Sequence, residues 1–139
     1  MSKNKFYEYI DHTADLGIRV YGKTLEKLFI NIGKAIFETQ IEGKVELKKE
    51  TKIEIKSESL VDLFIDWCRE LLFNFSVKGF IPKRYEISID KFKLKASLYG
   101  DIFDAKRHEI KLEIKNPTYH NFRIEKTAEG YQATIIFDV

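Results

Sequence analysis

The stretch Leu16-Gly17-Ile18-Arg19-Val20-Tyr21-Gly22-Lys23-Thr24-Leu25-Glu26-Lys27-Leu28-Phe29-Ile30-Asn31-Ile32-Gly33-Lys34-Ala35-Ile36 changes its hydrophobic period partway along. Up to Tyr21 the apolar residues Leu16, Ile18 and Val20 alternate with Gly17, Arg19 and Tyr21, the pattern of a strand with one buried face. From there on Leu25, Leu28, Phe29, Ile32, Ala35 and Ile36 recur at about 3.6 residues per turn, which puts them on one side of a helix. Thr24, just before the first of them, offers a side-chain oxygen suited to an N-cap. A half-buried strand feeding a core-packing helix excludes all-β and all-α chains.

Toward the amino end, residues 7–10 read as a short strand, joined to the first by the turn-like Asp11-His12-Thr13-Ala14-Asp15. Toward the carboxyl end, residues 45–55 alternate again, with Val45, Leu47, Ile53 and Ile55 opposite lysines and glutamates, as an exposed-face strand or a bent pair. A second helix follows. Ser59, with Asp62 after it, resembles a capping box, and Val61, Phe64, Trp67, Cys68, Leu71, Leu72 and Phe75 make a wide apolar stripe. After Gly79 the chain is strand-like through residues 85–89, 92–99, 110–114, 122–125 and 131–137. Turn signals stand at Asp90-Lys91, Gly100-Asp101, Asn116-Pro117 and Glu129-Gly130. The order predicts an α+β fold in one domain over residues 1–139, two amphipathic helices packed on one face of a largely antiparallel, in part mixed, β-sheet.

Composition narrows the function. A chain of 139 residues with 44% hydrophobic and 14% aromatic content has enough apolar surface to fold around one core. Its 24 basic and 22 acidic residues are mixed along the chain, so a formal charge of +2 supplies no uniform field for direct nucleic-acid binding. The single cysteine, Cys68, lies in a helical apolar stripe, which suits a buried thiol in a reducing cytoplasm. Residues 1–5 are charged and precede no long apolar run, and residues 61–75 are interrupted by Asp62, Asp66, Arg69 and Glu70. The expectation is a soluble protein with neither signal peptide nor membrane span.

Four places concentrate polar chemistry. In Asp11-His12-Thr13-Ala14-Asp15 two carboxylates and an imidazole crowd a connection; such carboxylates can ligate a hard divalent cation or order the turn through backbone amides. At the end of the chain, Phe137-Asp138-Val139 follows a strand, so the Asp138 side chain and the Val139 α-carboxylate lie close together; they form half a metal site if Asp15 approaches, or else a solvated terminus. Lys115-Asn116-Pro117-Thr118-Tyr119-His120 reads as a polar bend, in which His120 is either a proton shuttle or ligand, or a hydrogen-bonded structural histidine; no H-E-x-x-H spacing or cysteine partner supports zinc. Lys106-Arg107-His108-Glu109 reads as a solvated loop. No phosphate loop, dinucleotide fingerprint or nucleophile elbow is present.

Two of these motifs together resemble a known family. Tyr7-Glu8-Tyr9-Ile10-Asp11-His12-Thr13-Ala14-Asp15-Leu16-Gly17-Ile18 resembles the archease signature. Glu113-Ile114-Lys115, Thr118-Tyr119-His120, Arg123-Ile124-Glu125-Lys126 and Ile136-Phe137-Asp138-Val139 resemble that family's last third. The resemblance implies a non-catalytic accessory protein of an RtcB-type RNA ligase, which joins ends bearing 2′,3′-cyclic phosphate or 3′-phosphate and 5′-hydroxyl, as in tRNA splicing. It implies faster guanylylation of the ligase by GTP, with multiple turnover, and contact with RNA only through the ligase. It also implies a divalent cation, Ca²⁺, Mg²⁺ or Mn²⁺, held by Asp15, Asp138 and the terminal Val139, with functional roles at Lys115 and Glu125 and motif positions at Asp11, His12 and His120. The chain departs from the family at Asn116-Pro117, where a small and an aliphatic residue are usual; proline predicts a bend or bulge leading into Thr118. The competing reading is a general chaperone or protein-interaction module with a structural metal site. A third, a metal-dependent phosphohydrolase, lacks a nucleophile.

Overall fold

The computed structural model describes residues 6–10 and 15–139. The elements in chain order are β1 (Tyr7–Ile10), β2 (Leu16–Gly22), α1 (Leu25–Gln40), β3 (Ile41–Glu42), β4 (Lys49–Lys56), α2 (Leu60–Lys78), β5 (Phe80–Asp90), β6 (Lys93–Ile102), β7 (Glu109–Ile110), β8 (Asn116–Thr127) and β9 (Gly130–Asp138). Both helices start where their caps predict. The Thr24 hydroxyl accepts from the Lys27 N–H and the Ser59 hydroxyl from the Asp62 N–H, each at 3.1 Å, satisfying donors that have no partner inside the helix. α2 stops at Gly79, whose φ of 70° only glycine adopts freely, and its N–H bonds back to the Asn74 and Phe75 carbonyls. The Gly79 carbonyl in turn accepts from Phe103, tying the helix end to the chain beyond β6.

All strand pairs are antiparallel, and they form separate sheets: four strands in the order β1-β2-β9-β8, three in the order β4-β6-β5, and the short pair β3-β7. The two larger sheets share the helices between them. α1 packs on β2 and β9 of the first and on β5 of the second; α2 packs on β8 of the first and on β4, β5 and β6 of the second. The α+β class stands, but the single sheet expected from sequence is divided, because alternation tells which face of a strand is buried and not which strand it pairs with.

Being covered from two sides changes the helices. α1 buries its apolar stripe and also Asn31, Gly33, Phe37 and Gln40. Asn31 Nδ2 donates to the Tyr21 carbonyl at 2.7 Å, and Gln40 Oε1 accepts from the Ile114 N–H at 2.9 Å, while Gln40 Nε2 is buried without a hydrogen-bond partner among the described residues. The helices meet where Trp67 Nε1–H donates to the Phe29 carbonyl at 2.9 Å, with Phe29 edge-on to Phe64 at 5.1 Å. Gly33 lies against β5, where a Cβ would stand 2.7 Å from Tyr85 Cε2.

Several boundaries differ from the sequence reading. β6 runs straight through Gly100-Asp101, expected to be a turn; Gly100 is there because the Ile81 carbonyl occupies the space a side chain would need. The strand expected at 110–114 shrinks to the two residues of β7, and the one expected at 45–55 begins only at Lys49. The Lys106-Arg107-His108-Glu109 loop is anchored, not merely solvated. The His108 side chain is fully buried; its Nδ1 accepts from the Asp104 N–H at 3.0 Å, so Nε2 carries the proton toward the Lys44 carbonyl at 2.8 Å. Arg107 grips buried Asp101 with two bonds of 2.8 and 3.3 Å, and Asp101 also accepts from the backbone N–H groups of Glu46 and Ile102. The Arg107 guanidinium, aided by those amides, holds the Asp101 carboxyl well below the usual carboxylate range.

Two stability outcomes follow from this packing. Gly33→Ala, which on an exposed helix stabilises by about 1 kcal/mol, should here destabilise by about 1–3 kcal/mol in urea melts, since the methyl displaces the Tyr85 ring. Asp101→Asn should cost about 3 kcal/mol at neutral pH by leaving Arg107 and two amides poorly matched. Because folding lowers the Asp101 pKa, its stabilisation is full above an unfolded-state pKa of about 4 and is lost as pH falls below it. The gap between wild type and Asp101→Asn should therefore narrow in melts taken below that pH.

Candidate functional site

β9 lies between β2 and β8, so the start of β2 and the end of β9 lie side by side at one end of the sheet. The β2–β9 ladder ends at Leu16↔Phe137, and the next residues outward on the two strands are Asp15 and Asp138. β9 turns Ala133, Ile135 and Phe137 into the core; on its other face Ile136 is buried as well, and Asp138, at the strand end, is exposed. On the other side Asp138 is paired with Asn116 of β8, and the Lys115 N–H donates to the Asp138 carbonyl at 2.8 Å. Asp15 is half-buried, while Lys115 and Val139 are exposed. Four of the positions singled out in the sequence thus meet at one end of the sheet.

Glu125 does not join them. It pairs with Gln132, which lies six positions from Asp138 along β9, about 20 Å on an extended strand. Asp11 and His12 lie outside the described residues. Among the described residues no group of three or more His, Cys, Asp or Glu side chains is gathered. Asp15 and Asp138 are two side-chain carboxylates, and the α-carboxylate of Val139 adds oxygen donors of the same kind, a set that suits a hard divalent cation better than zinc or copper.

The bend expected at Asn116-Pro117 comes later. Pro117 is in register with Phe137 on an edge strand, where a missing N–H is tolerated. The ladder instead breaks between Thr118 and Arg123, and residues 119–122 stand against Ile135 alone. Asn121 takes a φ of 53°, an Asn-compatible left-handed conformation. So Lys115-Asn116-Pro117-Thr118-Tyr119-His120 belongs mainly to a bulged strand, not to a bend between two strands.

This bulge is held at both ends by α2. Tyr119 Oη donates to Asp62 at 2.6 Å, with the Arg69 guanidinium 5.9 Å from its ring, and Phe122 packs on Phe64 at 5.3 Å. The bond to Asp62 raises the Tyr119 hydroxyl above its ordinary pKa, so it stays a donor. His120 is exposed on the bulge, its Nε2 3.4 Å from Asn121 Nδ2. Sequence reasoning missed the Asp62–Tyr119 link; Asp62 had been read only as part of a helix cap, and nothing in the sequence joins positions so far apart.

Other groups are excluded from chemistry by their surroundings. Burial pushes the Cys68 thiol up, which leaves it protonated and inert. No helix among the described residues is long and apolar enough to cross a membrane.

The model of the archease protein family matches residues 7–139. The archease of Pyrococcus abyssi is 37% identical over 97% of this chain and 99% of its own, and that of Methanosarcina barkeri is 35% identical over 99% of each. Among solved structures, that of a Methanobacterium thermoautotrophicum protein superposes with a TM-score of 0.81 at 32% identity, covering 97% of this chain and 99% of its own. A Thermotoga maritima archease, described as a possible chaperone, gives 0.66 at 24% identity over 94% of each chain, a likeness of fold. With the whole folded region matched by the family model and by relatives of full length, the chain belongs to the archease family.

Proposed function

We propose that this archease is a non-catalytic, cytoplasmic activator of an RtcB-type RNA ligase, promoting the ligase's metal-dependent guanylylation by GTP and its multiple turnover. The observation that supports this best is the convergence of Asp15 and Asp138 beside Lys115 at an exposed sheet end, a place open to a second protein's active site. Asp15, Asp138 and the α-carboxylate of Val139 hold the cation, Ca²⁺, Mg²⁺ or Mn²⁺; when bound, such an ion neutralises phosphate oxygens and fixes their position.

The chain's own residues do the rest. The Asp138 backbone is held from the β8 side, through its pairing with Asn116 and the Lys115 N–H, so that its carboxylate is presented on ordered backbone. Lys115, whose N–H is bonded to the Asp138 carbonyl, brings a lysine to the same end of the sheet, where its ammonium can reach for an incoming phosphate. The Asp62–Tyr119 bond and the Phe64–Phe122 contact fix the bulge that carries His120 along the same strand. GTP chemistry and RNA joining are left to the ligase.

Single-turnover guanylylation of a purified RtcB-type ligase with GTP and Mn²⁺ tests the assignment. The wild-type protein should accelerate the step and Asp138→Asn should not. Suppressed aggregation of unrelated clients, unchanged by Asp15→Ala and with no effect on guanylylation, moves the assignment to a general chaperone. Calorimetric titration with Ca²⁺ or Mn²⁺ separates the residues: Asp138→Asn should weaken binding roughly tenfold or more, while Glu125→Gln, at the far end of the sheet, should leave it unchanged.

A further inference from the structure

Residues 115–118 hold the outer end of β9. The Lys115 N–H donates to the Asp138 carbonyl at 2.8 Å, the register pairs are Asn116↔Asp138, Pro117↔Phe137 and Thr118↔Ile136, and the Thr118 hydroxyl donates to the Ile136 carbonyl at 2.8 Å. By itself this is a weak hold. The ladder runs for three pairs before it breaks after Thr118, Pro117 has no N–H to donate, and β8 is the edge strand of its sheet. A short edge ladder next to a break opens far more readily than the fold as a whole.

Both ends of this segment are tied to helices. Just before it, the Ile114 N–H donates to Oε1 of Gln40, the last residue of α1, at 2.9 Å; just after it, the Tyr119 hydroxyl donates to Oδ1 of Asp62, in the first turn of α2, at 2.6 Å. Neither tie contributes much to stability. Gln40 is fully buried with its Nε2 unpartnered, so an apolar side chain of similar length removes that orphan while leaving the Ile114 N–H without its acceptor, two changes of opposite sign. Tyr119 is 48% exposed, and its bond to Asp62 competes with water. What the two ties share is the segment between them, the one that holds Asp138.

We propose that Gln40 and Asp62 are positioning residues for the carboxylate end: acting through Ile114 and Tyr119, they clamp residues 115–118, which in turn hold the Asp138 backbone and carry Lys115. The inference rests on the preceding section for what the carboxylates do. Each helix supplies one clamp, α1 from its last residue and α2 from its first turn, and neither clamp touches cation or phosphate. When a clamp opens, the segment gains freedom and Asp138 no longer has one fixed place beside Asp15. Carboxylates that have to be gathered at the moment of binding hold a cation less tightly than carboxylates already in place.

The experiment compares wild type with Tyr119→Phe, Asp62→Ala, Asp62→Asn and Gln40→Met by amide hydrogen exchange at Lys115, calorimetric titration with Mn²⁺ and stimulation of ligase guanylylation, with thermal melts alongside. Tyr119→Phe and Asp62→Ala should each speed Lys115 exchange and weaken Mn²⁺ binding roughly tenfold while melting within about 3 °C of wild type, and the two combined should do no more than either alone. Asp62→Asn keeps an oxygen acceptor and should restore most of the wild-type behaviour. Gln40→Met should act as Tyr119→Phe does, from the other end; if it melts early, Tyr119→Phe, at the surface, decides. Wild-type exchange and Mn²⁺ affinity in Tyr119→Phe overturn the clamps alone. Losses that track the melting temperature and are not rescued by Asp62→Asn overturn them too, since the bonds are then structural only. Absence of both Mn²⁺ binding and ligase stimulation in the wild type defeats the preceding reading, and the positioning role with it.

Discussion

The antiparallel ladder of β9 with β2 on one side and β8 on the other is the constraint on which the rest of the molecule depends. Its inward side chains, Ala133, Ile135 and Phe137, close the core beneath the helices, and its outward end carries Asp138 to the sheet edge. A slip of one residue would exchange the two faces, taking Phe137 out of the core beneath the helices and turning Asp138 toward it. The hydrophobic effect that fixes the register of β9 thus also fixes where its terminal carboxylate points. Core packing and site geometry are one constraint.

Two sheets sharing a helical layer explain features that neither sheet would require alone. α1 accommodates Tyr85 of the second sheet through Gly33 and supports the first through Asn31, whose amide binds the Tyr21 carbonyl. α2 meets α1 through the Trp67–Phe29 hydrogen bond and meets β8 through Asp62 and Phe64, which secure the bulge, Phe64 touching both neighbours. The helices therefore reach the candidate site from behind. The carboxyl-terminal half of α2, beyond the reach of β8's bulge, is the part that keeps large apolar groups at the surface.

Much of the candidate site was legible because its residues sit in two short motifs at the two ends of the chain. Asp15 and Asp138 could be named from sequence because each stands in a short polar motif at a strand end, and the family resemblance supplied the reason to take them as ligands rather than as turn and terminus. Lys115 was legible for the same reason. Glu125 was named with them, yet lies at the other end of β8, because motif proximity along a strand is not proximity in space: each residue adds about 3.3 Å. Tyr119 and Asp62 were not linked, since a hydrogen bond between positions 57 apart leaves no local pattern. His108 was misread because a charged tetrapeptide looks solvated until Asp101, Asp104 and the Lys44 carbonyl are seen around it.

The sequence by itself determined the elements whose period and caps are local: the strand at 16–22, both helices with Thr24 and Ser59 at their starts, and the turn at Glu129-Gly130. These depend on interactions within a few residues, so a linear pattern records them. Only the tertiary structure decided that the strands divide into separate sheets, that Gly100 serves close strand approach, that the β8 bulge follows Thr118, and that the two ends of the chain meet at Asp15 and Asp138. Each of those outcomes is set by which distant surfaces bury one another, and alternating hydrophobicity specifies that a surface will be buried without specifying against what.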